Sequence, residues 1–157
     1  MSSSKFKLVE DKLNYYKELT AQTLQEEVFK QKEPRKYLYD LVPIYPNRGG
    51  KGLRPALCIA TCRAYGGSTY SALRSAAAIE LLHNAFLIHD DVEDESDFRR
   101  GLPTAHAAYG TPIAINLADA MFALSIYPLV ANRDVLGSQV AFEVMQEVLH
   151  LDTQTAA

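Results

Sequence analysis

Between Ala76 and Asp97 the chain passes from an almost unbroken apolar run to a block in which six of the eight residues from Asp90 to Asp97 are acidic, and Arg99 and Arg100 follow at once. So abrupt a change restricts the fold. The apolar part must be buried, and carboxylates carried on the same element must reach water or a charged partner. Read as one helix, Ile79 to Asp94 turns about 100° per residue. That brings Glu80, His83, Asn84, Asp90, Asp91 and Asp94 into an arc of roughly 120°. Ile79, Leu81, Leu82, Ala85, Phe86 and Ile88 take the other faces. Asp90 and Asp94 lie one turn apart, so their oxygens can converge on one cation. Hard cations suit such ligands, and Mg²⁺ completes its shell with water and substrate phosphates. A lone DxxxD is also an ordinary solvated helix end, so the surroundings decide between the two.

A second informative stretch is Asn47-Arg48-Gly49-Gly50-Lys51-Gly52-Leu53-Arg54-Pro55. Its glycines allow close backbone approach, and Lys51 and Arg54 place cations on a turn that opens onto a helix. Such donors suit a phosphate or diphosphate, although an ordinary basic turn has the same composition. The Walker pattern GxxxxGK[ST] is absent. A third stretch, Asp97 to Pro103, is a turn with paired arginines. These either balance the acidic run or hold the anion whose metal the carboxylates bind. His83 lies two turns before Asp90, about 10 Å along the same face. It could meet an anion or be a satisfied core histidine. His89 points elsewhere and reads as structural.

In chain order, residues 1–5 are expected to be disordered and Phe6 to Lys32 to form a long amphipathic helix ended by Pro34. A short helix from Arg35 to Leu41 and an extended segment at Pro43 and Pro46 follow. Further helices are expected over Leu57–Tyr65 and over about Tyr70–Asp94, capped by Ser68 or Ser71. The run Ser75-Ala76-Ala77-Ala78 permits close helix contacts. A helical turn from Thr104 ends at Gly110, and an apolar helix runs from Pro112 to Val130 with Asn116 and Asp119 as buried polar residues. A last helix, Val135–Leu151, is capped by Asp134. Strand alternation is scarce, so the fold class is all-α.

The 157 residues suit one domain, and 48% hydrophobic residues exclude a disordered composition. A net charge of -3 gives no general affinity for nucleic acid. Cys58 and Cys62, four apart, read as small core residues rather than a metal pair or disulfide. No stretch is expected to span a membrane, the first residues lack a signal region, and a cytoplasmic location is the default expectation.

Together, Gly49-Gly50-Lys51-Gly52-Leu53-Arg54-Pro55, the Glu80–Asp94 helix and Asp97–His106 resemble three motifs of the trans-isoprenyl diphosphate synthases, the polyprenyl synthetase family. In that family they read approximately GGKxxRP, xxHDDxxD and DxxRRGxPxxH, in this order and spacing. The resemblance covers roughly Lys7 to Gln154, the N-terminal half of the family's domain. It implies an antiparallel helical bundle, here apparently truncated and usually a homodimer. It implies Mg²⁺, or Mn²⁺, held by Asp90, Asp91 and Asp94 against an allylic diphosphate, with Arg99 assisting that group. Lys51, Arg54, His83 and Arg100 would hold isopentenyl diphosphate, and Gln154 would be a further substrate contact. The reaction implied is ionisation of the allylic diphosphate, attack by the isopentenyl double bond and loss of a proton. In the family, bulky residues just before the first Asp close the product pocket. The small Ala85 therefore implies a product of C20 or longer, like that of a geranylgeranyl diphosphate synthase.

Three departures stand out. Gly52 replaces a bulkier residue, Asn116 to Asp119 lacks a usual glycine, and the family's second aspartate-rich motif is missing after Leu151. The chain is then expected to be a fragment, one piece of a split enzyme or the ordered part of something longer, with a homodimer or hetero-oligomer as the expected source of the missing half. Two alternatives remain: a terpene cyclase on the same fold, or a non-catalytic subunit of a full synthase. Lys51, Arg54 and Arg100 speak against the first, and the intact carboxylates against the second.

Overall fold

A computed structural model describes residues 2–30 and 35–155, with side chains at 6–30, 36 and 38–155. Its elements are α1 (Ser2–Glu27), a π-helical turn (Arg35–Tyr39), α2 (Ile44–Asn47), α3 (Leu53–Ala64), α4 (Thr69–Glu93), β1 (Phe98–Arg99), β2 (Leu102–Pro103), α5 (Ala105–Tyr109), α6 (Thr111–Ala131), α7 (Arg133–Leu136) and α8 (Ser138–Thr155). The all-α expectation holds apart from one two-stranded hairpin, β1–β2, which pairs Phe98 with Pro103 and Arg99 with Leu102.

The central element is α4, which packs on α1, α3 and α6 and touches α2, α5 and α8. Its composition explains that position. A helix that is apolar on every side has to be enclosed. The consecutive residues Ala76, Ala77 and Ala78 are all fully buried, and at 100° apart they face three different neighbours. Ala76 joins Ile59 of α3, Ala77 joins the main core with Leu24 of α1 and Leu117 of α6, and Ala78 meets Leu129 of α6 and Val148 of α8. Cross-contacts set the directions. Arg74 bonds Glu27 and the Ala131 carbonyl, while His89 reaches Asp119 and Arg54 reaches His83. These pairings run in opposite senses along the chain, so α1, α3 and α6 all lie antiparallel to α4, as the resemblance implied.

Several boundaries differ from the sequence reading. Helix α1 starts at Ser2 rather than Phe6. It ends at Glu27 rather than Lys32, where Val28 and Phe29 turn into the core. The Val28 and Phe29 amides both donate to the Leu24 carbonyl (3.0 and 2.9 Å), so apolar burial rather than a breaker residue stops the helix. Pro34, expected to be that breaker, lies outside the described residues. Helix α3 begins at Leu53, not Leu57. Its first residues follow Gly52, whose φ of 59° lies in the left-handed region. Asp134 does not cap the last helix: it sits inside α7, and α8 starts after Gly137, φ 78°. Asn116 and Asp119 are exposed; the polar groups of this region that are buried are Ser125 and Asn132, the latter donating to Ser75 Oγ at 3.0 Å.

One expectation about membranes is corrected. Thr111–Leu136 has a mean hydropathy of 1.7 and is long and apolar enough to cross a membrane by composition, with 44% of its apolar window buried inside the protein. Ala114, Leu117, Ala118, Met121 and Leu129 of that stretch lie buried against the rest of the protein, so much of its apolar character serves the core.

The N-terminus of α4 is held by Ser68, whose Oγ accepts from the Ser71 amide at 3.0 Å, one of the two caps expected. Ser68→Ala is predicted to lower stability by about 1 kcal/mol, read as a shift of the urea unfolding midpoint at unchanged m-value.

Candidate active site

The polar arc of α4 does not stay on one surface. Asp90 and Asp94 are exposed, whereas Asp91 is 1% exposed and turned into the core. Arg99 Nε donates to Asp91 Oδ1 at 2.7 Å, and the Tyr45 hydroxyl donates to Asp91 Oδ2. Each Asp91 oxygen therefore has one donor. Of the expected ligand trio, Asp91 is thus held by Arg99 and Tyr45 while Asp90 and Asp94 face outward, and among the described residues no three His, Cys, Asp or Glu come together to hold a metal ion. Asp90 and Asp94 remain, one turn apart at the C-terminal end of α4, where outward-facing carbonyls favour a cation. Two carboxylates with water and substrate phosphate suit Mg²⁺, which rarely has an all-protein cage. The residues present thus fit the ion.

Tyr45 escaped the sequence reading. It is 2% exposed, and its hydroxyl also accepts from the Ala105 amide at 3.1 Å, so it joins α2, α4 and α5. Burial, and then the bond to Asp91, push its hydroxyl up to about 12. The guanidinium of Arg48 lies 4.6 Å from the Tyr45 ring centre, with Nε and Nη1 buried and without hydrogen-bond partners. The only sequence signal for the pair was Tyr45's place two residues before Asn47 in the glycine-rich stretch, and an aromatic there reads equally well as core.

About two to three turns toward the N-terminus of α4, the other expected residues gather. Arg54 Nη1 stands 3.2 Å from His83 Nε2. Arginine can only donate, so the histidine nitrogen accepts and the ring is neutral. Burial, then the charges of Arg54, Arg100 and Arg99, lower the His83 pKa to about 4. Arg100 reaches this cluster because the hairpin turns there: Arg100 (φ 55°) and Gly101 (φ 77°) form a two-residue turn with both φ positive. Its guanidinium lies against Gly50, where a Cβ would come 2.9 Å from Nη2. Glu80 sits among these cations. Burial raises its pKa, while the Asn84 side chain and the charges of Arg100, Arg54 and Lys17 pull it back. Lys51 is exposed on the loop. Gln154 is exposed on α8 and lines neither cavity described here.

Below the acidic end lies a cavity of about 210 Å³, lined by Ala85, Phe86, Ala118 and Phe122 with His89, Asp119 and Asp152 at its polar edge. His89 Nε2 lies 3.3 Å from Asp119 Oδ1. Asp152, not Gln154, faces this space, and burial raises its pKa.

An all-α scaffold whose central helix carries carboxylates at one end and a cluster of fixed cations further back offers two places where an anion could be held, one directly and one through a divalent ion. Residues 35–155 match the polyprenyl synthetase family. The chain is 35% identical over 116 residues to a geranylgeranyl diphosphate synthase of Cyanophora paradoxa, an alignment spanning 73% of this chain and 39% of the relative. Among solved structures it resembles a geranylgeranyl pyrophosphate synthetase from Pyrococcus horikoshii (TM-score 0.75, 33% identity, 80% of this chain and 38% of that one). It also resembles an FPP/GFPP synthase from Zymomonas mobilis (TM-score 0.77, 32% identity, 95% and 53%). The chain belongs to the polyprenyl synthetase family. It spans about two fifths or less of the length of the curated relatives it matches.

Two outcomes are expected. Tyr45→Phe should cost about 1–3 kcal/mol, because it leaves a buried Asp91 oxygen unsatisfied; chemical denaturation measures it. His83 binds its proton more weakly in the fold than the ordinary imidazole at 6.5. Above about pH 6.5 it therefore contributes nothing, and stability falls as pH drops from about 6.5 to about 4. His83→Gln should flatten the stability–pH curve within that window, and an NMR titration should find the ring still neutral at pH 6.

Proposed function

We propose that this chain forms the N-terminal half of a trans-prenyltransferase that joins isopentenyl diphosphate to an allylic diphosphate, giving a product of C20 or longer. The observation that carries the reading is the spacing of two anion-compatible clusters on one helix. His83 and the cations around it lie seven or more residues before Asp90, about 10 Å along α4. One end suits a diphosphate held directly by arginines, the other a diphosphate held through a divalent ion.

In this reading Arg54 and Arg100, with Lys51 from the loop, hold isopentenyl diphosphate, and neutral His83 offers its ring without adding charge. Asp90 and Asp94 hold Mg²⁺, which when bound offsets the charge of the leaving diphosphate. Arg99, oriented by Asp91 and Tyr45, presents its remaining N–H groups to the same diphosphate. The walls from Ala85, Phe86, Ala118 and Phe122 exclude water from the cation left behind. The small Ala85 leaves room for a growing tail, which supports the longer product. The remainder of the cavity would come from polypeptide outside this stretch, either continuous with it or in a partner chain. The exposed apolar residues Tyr127, Val130, Phe142 and Leu151 on α6 and α8 support such an association.

The test is a product assay with Mg²⁺, isopentenyl diphosphate and C5 to C20 allylic primers, read by mass. Elongated diphosphates of C20 or more are expected, and Asp90→Ala should remove divalent-dependent turnover by about 100-fold or more. Hydrocarbons formed without isopentenyl diphosphate would overturn the reading in favour of a cyclase.

A further inference from the structure

The basic cluster receives one cation that none of the motifs contains. Lys17 lies on α1, well before the glycine-rich loop, and its Nζ donates to the Gly50 carbonyl at 2.7 Å. Arg100 packs on the other part of the same glycine, so both cations meet at one residue. The stem of Lys17 is fixed as well. It fills the space over Gly52, where an added Cβ would come 3.0 Å from Lys17 Cβ and Cγ. This gives a physical reason for Gly52 at a position where the resemblance expects a bulkier residue. Lys17 also lines, with Gly49, Gly50 and Glu80, a small cavity of about 40 Å³ beneath the loop.

The balance of charge here is uneven. Lys17, Arg54 and Arg100 all act on one carboxylate, Glu80, and His83 is neutral. Three cations carry more charge than that carboxylate offsets. Concentrated like charge is unfavourable unless an anion joins it, and a diphosphate supplies about that charge with several strong acceptors. An ammonium has three donors; Gly50 takes one, which leaves two for the anion.

We propose that Lys17 is a further diphosphate-binding residue of the isopentenyl diphosphate site, delivered from α1 and seated by Gly50 and Gly52. The proposal rests on the reading of that site given above. Its ammonium meets Arg100 at Gly50, and the Lys17–Gly50 bond couples the position of α1 to occupation of the loop.

Titration calorimetry with inorganic pyrophosphate and with isopentenyl diphosphate tests it, on the wild-type chain and on Lys17→Met, Lys17→Arg and Arg54→Ala. Methionine keeps the stem over Gly52 and removes the charge. Lys17→Met should weaken both ligands about tenfold, the scale of one lost charge-assisted bond, and Lys17→Arg should restore most of the loss. Should Lys17→Met not fold, the wild-type protein still answers. Pyrophosphate should slow reductive methylation of Lys17 about fivefold or more and leave the exposed Lys12 unchanged. Wild-type affinity in folded Lys17→Met, or no protection of Lys17, while Arg54→Ala loses binding, would overturn the role of Lys17 and leave the site standing. No pyrophosphate binding by the wild-type chain would overturn both.

Discussion

A buried carboxylate on the central helix fixes the geometry around it. Asp91 is almost fully enclosed, and an unpaired charge there would cost several kcal/mol. It is tolerable because two donors converge on it from different elements: the Tyr45 hydroxyl from α2 and the Arg99 Nε from β1. The same tyrosine accepts from the backbone where α5 begins. The segment before the glycine-rich loop, the acidic end of α4, the hairpin and α5 are therefore positioned by one hydrogen-bonded group. The direction of Arg99 follows from it, as does the outward placement of Asp90 and Asp94 on the adjoining faces of the helix.

Opposite charges are kept apart along α4. The carboxylates occupy its C-terminal end, where the helix dipole favours a cation between them. The fixed cations gather two to three turns earlier, where their charges act on Glu80. The hairpin makes this possible. Its tight turn sends Arg99 to Asp91 and Arg100 to Gly50, so adjacent arginines serve different clusters. The neutral His83 ring limits repulsion within the basic cluster while still accepting from Arg54. Each anion-compatible site is thus assembled on one central, largely enclosed helix, an arrangement that suits fixed electrostatics.

The enclosed helix was legible because its pattern admits no other fate: alanines and leucines on all sides cannot face water. The three motifs were legible because residue type and order carry their chemistry, and Arg54, His83 and Arg100 do come together. Other features were not. The ends of α1 and α3 and the placing of Asn116, Asp119 and Asp134 depend on which neighbours were available. Val28 turns inward although nothing local stops the helix. The helical wheel placed Asp91 beside Asp90 and Asp94, but a 120° arc is wide enough for one edge to be buried and the other solvated. Lys17 is far from α4 in sequence with nothing local to mark it, and Tyr45, beside the glycine-rich stretch, reads equally well as core.

Sequence by itself determined the class of fold, the helix that must be central, and the chemical inventory of carboxylates and fixed cations, because periodicity and residue chemistry are local properties. Tertiary structure decided which of those groups act together. It enclosed Asp91 between Tyr45 and Arg99, joined Arg100 and Lys17 at Gly50, and gave the apolar stretch from Thr111 a place in the core. Those outcomes follow from long-range packing and from the requirement that every buried charge find a partner, and neither can be read from spacing along a single element.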